Sequence, residues 1–150
     1  GPAKIGKVVG GNARVGQQLT TKFLSNMPAL YTLRKMVTEA AETGTIKALD
    51  GRRLHIRSTH ASLNTLLQGA GAIVCKQWLV HMDERIRKSG VDVKLVASVH
   101  DEYQFEVDKK DVERFGKITK DAMIETTDTL GMRCPLDCEY KAGTTWKETH

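Results

Sequence analysis

Leu95-Val96-Ala97-Ser98-Val99-His100-Asp101-Glu102-Tyr103-Gln104-Phe105-Glu106-Val107 is the stretch that decides how this chain is read. A continuous apolar run ends at Val99, three polar residues follow, and Tyr103 to Val107 then alternates cleanly between apolar and polar. Short apolar runs bounded by turn signals, and period-two alternation, both mark strands. Together they predict an antiparallel hairpin, 95–99 with 103–107, that carries its acidic residues at the turn. Asp101 and Glu102 could be ordinary turn residues, as most such pairs are. A stiff strand that delivers two adjacent carboxylates to a tight tip also suits a divalent cation. His100 alone reads as a surface or core histidine as readily as a ligand.

Working outward, the segment from about His60 to Ser89 has helical period, with Leu63, Leu67, Ala70, Val74, Trp78 and Met82 as its buried stripe and Gly90 as its stop. Before it, Thr45–Leu49 and Arg53–Arg57 flank Asp50-Gly51, a strong hairpin signal. Arg53, His55 and Arg57 share one face of the second strand, and Leu54 and Ile56 share the other. Three helices come earlier: Lys4 to Val9, Ala13 to Ser25 capped by Asn12, and Pro28 to about Thr43, ended by Gly44. Val15, Leu19, Phe23 and Leu24 mark the apolar stripe of the second, and Leu30, Leu33, Val37 and Ala41 that of the third. After the central hairpin, Asp108 or Asp111 can cap a helix ending near Gly131. A last strand, about Cys134 to Tyr140, leads to Trp146 and His150. Helices and antiparallel hairpins in this order predict an α+β fold. No internal repeat or low-complexity segment interrupts them.

The 150 residues, 40% of them hydrophobic, suffice for one compact unit or two packed lobes. A net charge of +5 and a pI near 9.2 fit a polyanionic partner without requiring one. Cys75, Cys134 and Cys138 are an odd number of thiols in a chain without a visible secretion signal. They read as free cysteines of a reducing compartment. Their spacing is not that of a zinc knuckle. No stretch reaches the roughly 18–20 apolar residues of a membrane span. Gly1-Pro2 reads as a protease-cleavage scar and is left out of the fold reasoning.

His60, Asn64 and Gln68 fall at i, i+4 and i+8 and so line one ridge of a helix, followed by the small residues Gly69 to Ala72. Without further context this is the polar face of a surface helix. The context is supplied by likeness. Leu95 to Val107 resembles the third conserved motif of family A DNA polymerases, the His-Asp-Glu hairpin of the palm. Leu49 to Ser58, His60 to Ala72 and the ending Gly143 to His150 are similar in order to the same family, in its short-tailed bacteriophage branch. The likeness runs through nearly all of residues 3–150.

That resemblance implies a fold and a set of roles. Residues 3–44 are expected to be C-terminal fingers helices, and 45–150 the C-terminal half of the palm. Asp101 is expected to be the second of two aspartates that hold two Mg²⁺ ions, with Glu102 as a secondary or outer ligand and His100 against the primer end. Arg52, Arg53 and Arg57 are expected to contact phosphates. His60, Asn64 and Gln68 are expected to face the minor groove, where every base pair offers an acceptor and a donor can test geometry without reading sequence. The implied partners are primer-template DNA, a dNTP, and the remaining polymerase segment or a complementary subunit, with a homo-oligomer also open. No membrane is implied, and the place of action is the cytoplasm, that of a bacterial host if phage-encoded.

The chain departs from the family in three ways. Bacterial members carry arginine where this chain has His60, a titratable ring in place of a permanent charge. The connections near Gly44 and Gly90 are shorter than in the phage branch. The earlier aspartate motif and the Lys and Tyr-Gly helix that grips the triphosphate have no counterpart, although Lys4-Ile5-Gly6 resembles the residues just after that helix. Two divalent ions about 3.5–4 Å apart need several anionic ligands, so the chain by itself is expected to lack polymerase activity. Two other readings stay open: a non-catalytic remnant that binds DNA or assembles through residues 3–44, and an unrelated basic α+β domain.

Overall fold

The structure, a computed structural model, describes residues 1–149; the part of the family-like ending that falls on His150 lies outside the described residues. By their contacts these residues form two compact units, Gly1–Leu67 and the chain from Gln68 onward.

In the first unit, α1 (Pro2–Val8), α2 (Ala13–Asn26) and α3 (Pro28–Ala41) precede two short strands, β1 (Thr45–Lys47) and β2 (Arg53–His55). Asn12 caps α2 as its sequence signal predicts, its side-chain oxygen accepting from the Arg14 and Val15 amides at 3.0 and 3.2 Å. Pro28 occupies the first turn of α3, where its missing N–H costs nothing. α1 lies against α2 through two buried glycines. A Cβ on Gly6 would collide with the Asn12 carbonyl, and one on Gly16 with the Pro2 carbonyl. Because α1 meets α2 on this small-residue side, the stripe Val15, Leu19 and Phe23 is left exposed and is not the core it resembles. The core is instead Val37, Ala41 and Ile46, with Leu54, Ile56 and Leu66 packed on it.

β1 and β2 pair antiparallel, Thr45 with His55 and Lys47 with Arg53. Both are shorter than the hydropathy pattern predicts. The connection around Asp50-Gly51 closes early, with the Ala48 amide donating to the Arg52 carbonyl at 2.8 Å and the Gly51 amide to the Ala48 carbonyl at 3.0 Å. The alternation holds nonetheless: Leu54 and Ile56 are half-buried, and Arg53, His55 and Arg57 are exposed.

A single 3-10 turn, Thr59–Ala61, leads into α4 (Ser62–Ser89), whose later part belongs to the second unit. There β3 (Val93–Val99) and β4 (Glu102–Val107) form an antiparallel ribbon, and α5 (Val112–Thr129) follows a 3-10 turn at Lys109–Asp111. Trp78, Met82, Ala122 and Met123 are its core, so α4 and α5 face each other, with Tyr103 and Phe105 of β4 packed on the seam. Of the predicted α4 stripe Trp78 and Met82 are buried, but Leu67 is 55% exposed. Neither Asp108 nor Asp111 caps α5 with its side chain; Asp108 pairs with Lys110 at 3.4 Å instead.

The strand expected over Cys134–Tyr140 does not form. Pro135 has no N–H for a ladder, and the segment lies along α5 instead. The Leu136 amide donates to the Thr127 hydroxyl at 3.0 Å, and the Tyr140 ring fills the space above Gly116 while its hydroxyl donates to Glu113 at 2.9 Å. A short terminal helix, α6 (Trp146–Thr149), completes the described chain.

Candidate active site

The β3–β4 ladder pairs Val99 with Glu102, so the loop between them is only His100 and Asp101. His100 has φ 55°, the left-handed region that a two-residue hairpin demands at its first position. Histidine is enriched several-fold among the non-glycine residues found there. Asp101 is therefore the tip of the ribbon and is exposed, while Glu102 is the first residue of β4 and half-buried. One oxygen of Glu102 accepts from the Gln104 side-chain amide on the same face of the strand. A β-bulge between Leu95 and Ala97 leaves Val96 out of register and twists the base of the ribbon.

What holds the tip is aromatic packing two and four residues after Asp101. Tyr103 lies 5.4 Å from the Trp78 ring, and Phe105 meets Phe115 edge-on at 4.9 Å. The indole N–H of Trp78 donates to the Thr119 carbonyl at 2.9 Å inside the core. The tip is thereby fixed to both α4 and α5. Cys75 of α4 is close enough to register it: burial pushes the Cys75 thiol up, and the negative charge of Asp101 pushes it further.

The first unit carries the three arginines expected at phosphates. Arg52 lies at the Asp50-Gly51 turn and is held by Asp50, Nε at 2.6 Å and a terminal nitrogen at 2.5 Å. That guanidinium keeps the exposed Asp50 carboxyl below its usual range. Arg53 and Arg57 are exposed on the outer face of the β2 segment. His60 sits on the 3-10 turn rather than on α4 itself, beside a cleft that it shares with Tyr31, Arg34, Lys35 and Leu63. Arg34 and Lys35 escaped the sequence reading because they look like the solvent face of α3; only the fold brings them to His60. Asn64 is exposed on the first turns of α4, and Gln68, at the start of the second unit, is exposed as well.

The donor set at the tip, two carboxylates with hard oxygen ligands, fits one edge of a Mg²⁺ site. Two carboxylates alone do not close a two-ion centre.

Residues 1–148 match the sequence profile of DNA polymerase family A. The chain is 35% identical to the DNA-directed DNA polymerases of Enterobacteria phage T3 and Escherichia phage T7, each over 172 residues that include all of this chain but only 24% of the relative. It is 35% identical to the enzyme of Escherichia phage Phieco32 over 157 residues, again all of this chain and 26% of the relative. The matched stretches exceed 150 residues, so these relatives carry residues that this chain lacks. In fold it is similar to the POL domain of Pol1 from M. smegmatis, described in complex with DNA primer-template and dNTP. That likeness has a TM-score of 0.71 and 19% identity, over 80% of this chain and 24% of the other. This chain belongs to DNA polymerase family A.

Proposed function

We propose that the chain is the C-terminal segment of a DNA-directed DNA polymerase, with residues 3–44 as fingers helices and 45–150 as half of the palm. The observation that carries this reading is the two-residue loop that sets Asp101, exposed, at the end of a ribbon braced from behind by Tyr103 and Phe105. In the complete enzyme the primer 3′-hydroxyl attacks the α-phosphate of a deoxynucleotide, a new phosphodiester forms, and pyrophosphate leaves. Such transfer depends mainly on positioning and on charge stabilisation. Asp101 and Glu102 would hold Mg²⁺, which when bound supplies positive charge to the phosphates. Gln104 orients Glu102, and the short loop keeps His100 beside the primer end. Arg53 and Arg57 contact phosphates. Arg52 does so after exchanging its Asp50 partner for a phosphate oxygen. His60, Asn64 and Gln68 present donors to the minor groove. The partners are primer-template DNA, a dNTP and the rest of the polymerase; the setting is the cytoplasm, that of a bacterial host if the chain is phage-encoded.

The test is to mix the chain with a second polypeptide that supplies the first aspartate motif and the nucleotide-gripping helix, and to measure primer extension. Extension is expected from the mixture and not from either part, and Asp101→Ala abolishes it. The assignment fails if the mixture never extends a primer and the same substitution in a full-length parent leaves its activity intact.

A second reading, a non-catalytic DNA-binding or self-assembling remnant, is favoured by the exposed Val8, Phe23, Tyr31 and Met36 on α1–α3. Apolar surface of this kind marks association sites. This reading predicts salt-sensitive DNA binding that is indifferent to Asp101 and Mg²⁺.

A further inference from the structure

We propose that His81, Glu84 and Glu125 form a second cation site, for a zinc-class divalent metal, on the α4–α5 seam and using none of the residues assigned to the polymerase site. His81 is buried at 7% exposure, and its Nδ1 is a buried polar side-chain atom without a hydrogen-bond partner among the described residues. The other ring nitrogen, Nε2, is held 3.0 Å from the Thr129 hydroxyl, which accepts its proton when Nδ1 carries a metal, and 3.0 Å from the Gln77 side-chain amide nitrogen, an amide that turns over to offer its oxygen in that state. A histidine anchored through one nitrogen and open at the other is the usual arrangement of a metal ligand.

Nδ1 faces Glu125, whose Oε1 lies 3.4 Å away, off the hydrogen-bond direction. The second oxygen of Glu125 is occupied by Arg85 Nε at 2.9 Å, which turns Oε1 toward the ring. Glu84, three residues along α4 from His81, is exposed and brings a carboxylate oxygen within 4.8 Å of both. Tetrahedral zinc, with bonds of about 2.0–2.1 Å, holds neighbouring ligand atoms about 3.4 Å apart. His81 and Glu125 already stand at that spacing, and Glu84 reaches it by a change of rotamer at the surface. Water completes the fourth position from the solvent side.

The charges agree. Glu125 and Asp121 share one guanidinium, Arg85, at 2.9 and 3.9 Å, and Glu84 adds a third carboxylate to the cluster. The cluster is net negative. An imidazole with two carboxylates favours Zn²⁺ over Mg²⁺, which prefers an all-oxygen octahedron. The competing occupant of the gap is a proton, which would make His81 an ion-pair partner of Glu125.

Zn²⁺ is titrated against a chromophoric chelator, and Co²⁺ against its visible spectrum, using the 150-residue chain with Cys75, Cys134 and Cys138 replaced by serine. One equivalent should bind, with cobalt bands of a tetrahedral nitrogen–oxygen site. Binding should survive Asp101→Ala and weaken at least about tenfold in Glu84→Gln and Glu125→Gln. Glu84 is exposed, so Glu84→Gln keeps the fold and its circular dichroism. The proposal is overturned if neither substitution weakens binding, if removing the cysteines abolishes it, or if millimolar Zn²⁺ leaves the His81 ring resonances unmoved.

Discussion

Replacing Trp78 by phenylalanine tests the claim that the β3–β4 hairpin is held from behind. Trp78 is 9% exposed, donates to the Thr119 carbonyl at 2.9 Å, and packs against Tyr103, two residues beyond Asp101. The lost hydrogen bond is worth about 1 kcal/mol. The larger penalty of a stranded polar group does not apply, because Thr119 is a mid-helix residue whose carbonyl retains its helical partner. Full truncation of a buried tryptophan costs about 3–5 kcal/mol. Leaving a phenyl ring in place should forfeit about 1–2 kcal/mol of that. The sum, about 2–3 kcal/mol, is a large part of the stability of a small unit. Urea unfolding followed by circular dichroism reads it as a lower midpoint at constant slope. Amide exchange at Tyr103 and Phe105 should accelerate in parallel, while β1 and β2 remain as protected as before. A loss below about 0.5 kcal/mol, or unchanged exchange in β4, refutes the bracing argument.

Four further outcomes are expected. Asp101→Asn removes a charge that raises the Cys75 thiol, so Cys75 should alkylate faster at mildly alkaline pH once Cys134 and Cys138 are replaced by serine; an unchanged rate means the tip is not beside α4. Asn12→Ala frees the two amides that Asn12 accepts and should cost about 1 kcal/mol, read as a lower thermal midpoint. Gly16→Ala forces a methyl into the Pro2 carbonyl and should detach α1 at a cost of about 1–3 kcal/mol, visible as rapid exchange over Lys4 to Val8. Glu148 accepts from the Thr144 and Thr145 amides at 2.5 and 3.2 Å, which hold its carboxyl low. A depressed carboxylate contributes above its unfolded value and ceases to do so as pH falls through the folded one. The start of α6 should therefore loosen only below the ordinary glutamate range, and an amide-shift midpoint at or above that range contradicts the capping.

The five longer helices and both hairpins were legible in the sequence, most of them through their own punctuation, Asn12, Pro28, Gly44, Asp50-Gly51 and Gly90, whereas the short α6 carried no such signal. The central hairpin was legible for the further reason that its polar triplet separates two strand patterns of different kind. What escaped was tertiary. The stripe on α2 looks buried by spacing, but Gly6 and Gly16 direct α1 to a different side. Cys134–Tyr140 has strand-like composition, yet Pro135 and the surface of α5 assign it elsewhere. Glu102 reads as a turn residue and is in the strand, since a two-residue loop leaves room only for His100 and Asp101. His81 hid inside an apolar stripe between Trp78 and Met82, although the His-x-x-Glu spacing with Glu84 was a signal that could have been followed to Glu125.

Among the described residues the β3–β4 ribbon has only two strands, and no further strand pairs with either of its outer edges. Leu95 and Val96 on β3 are 45% and 61% exposed, and the only charged residue of that strand is Lys94, already matched with Glu106 at 3.6 Å. An open edge of this kind, scarcely guarded by charge, is a template on which another backbone can add a strand. Concentrated solutions of the chain should therefore lose material by edge-to-edge stacking. A lysine in place of Val96, at the bulge where no ladder bond is lost, should keep it dispersed.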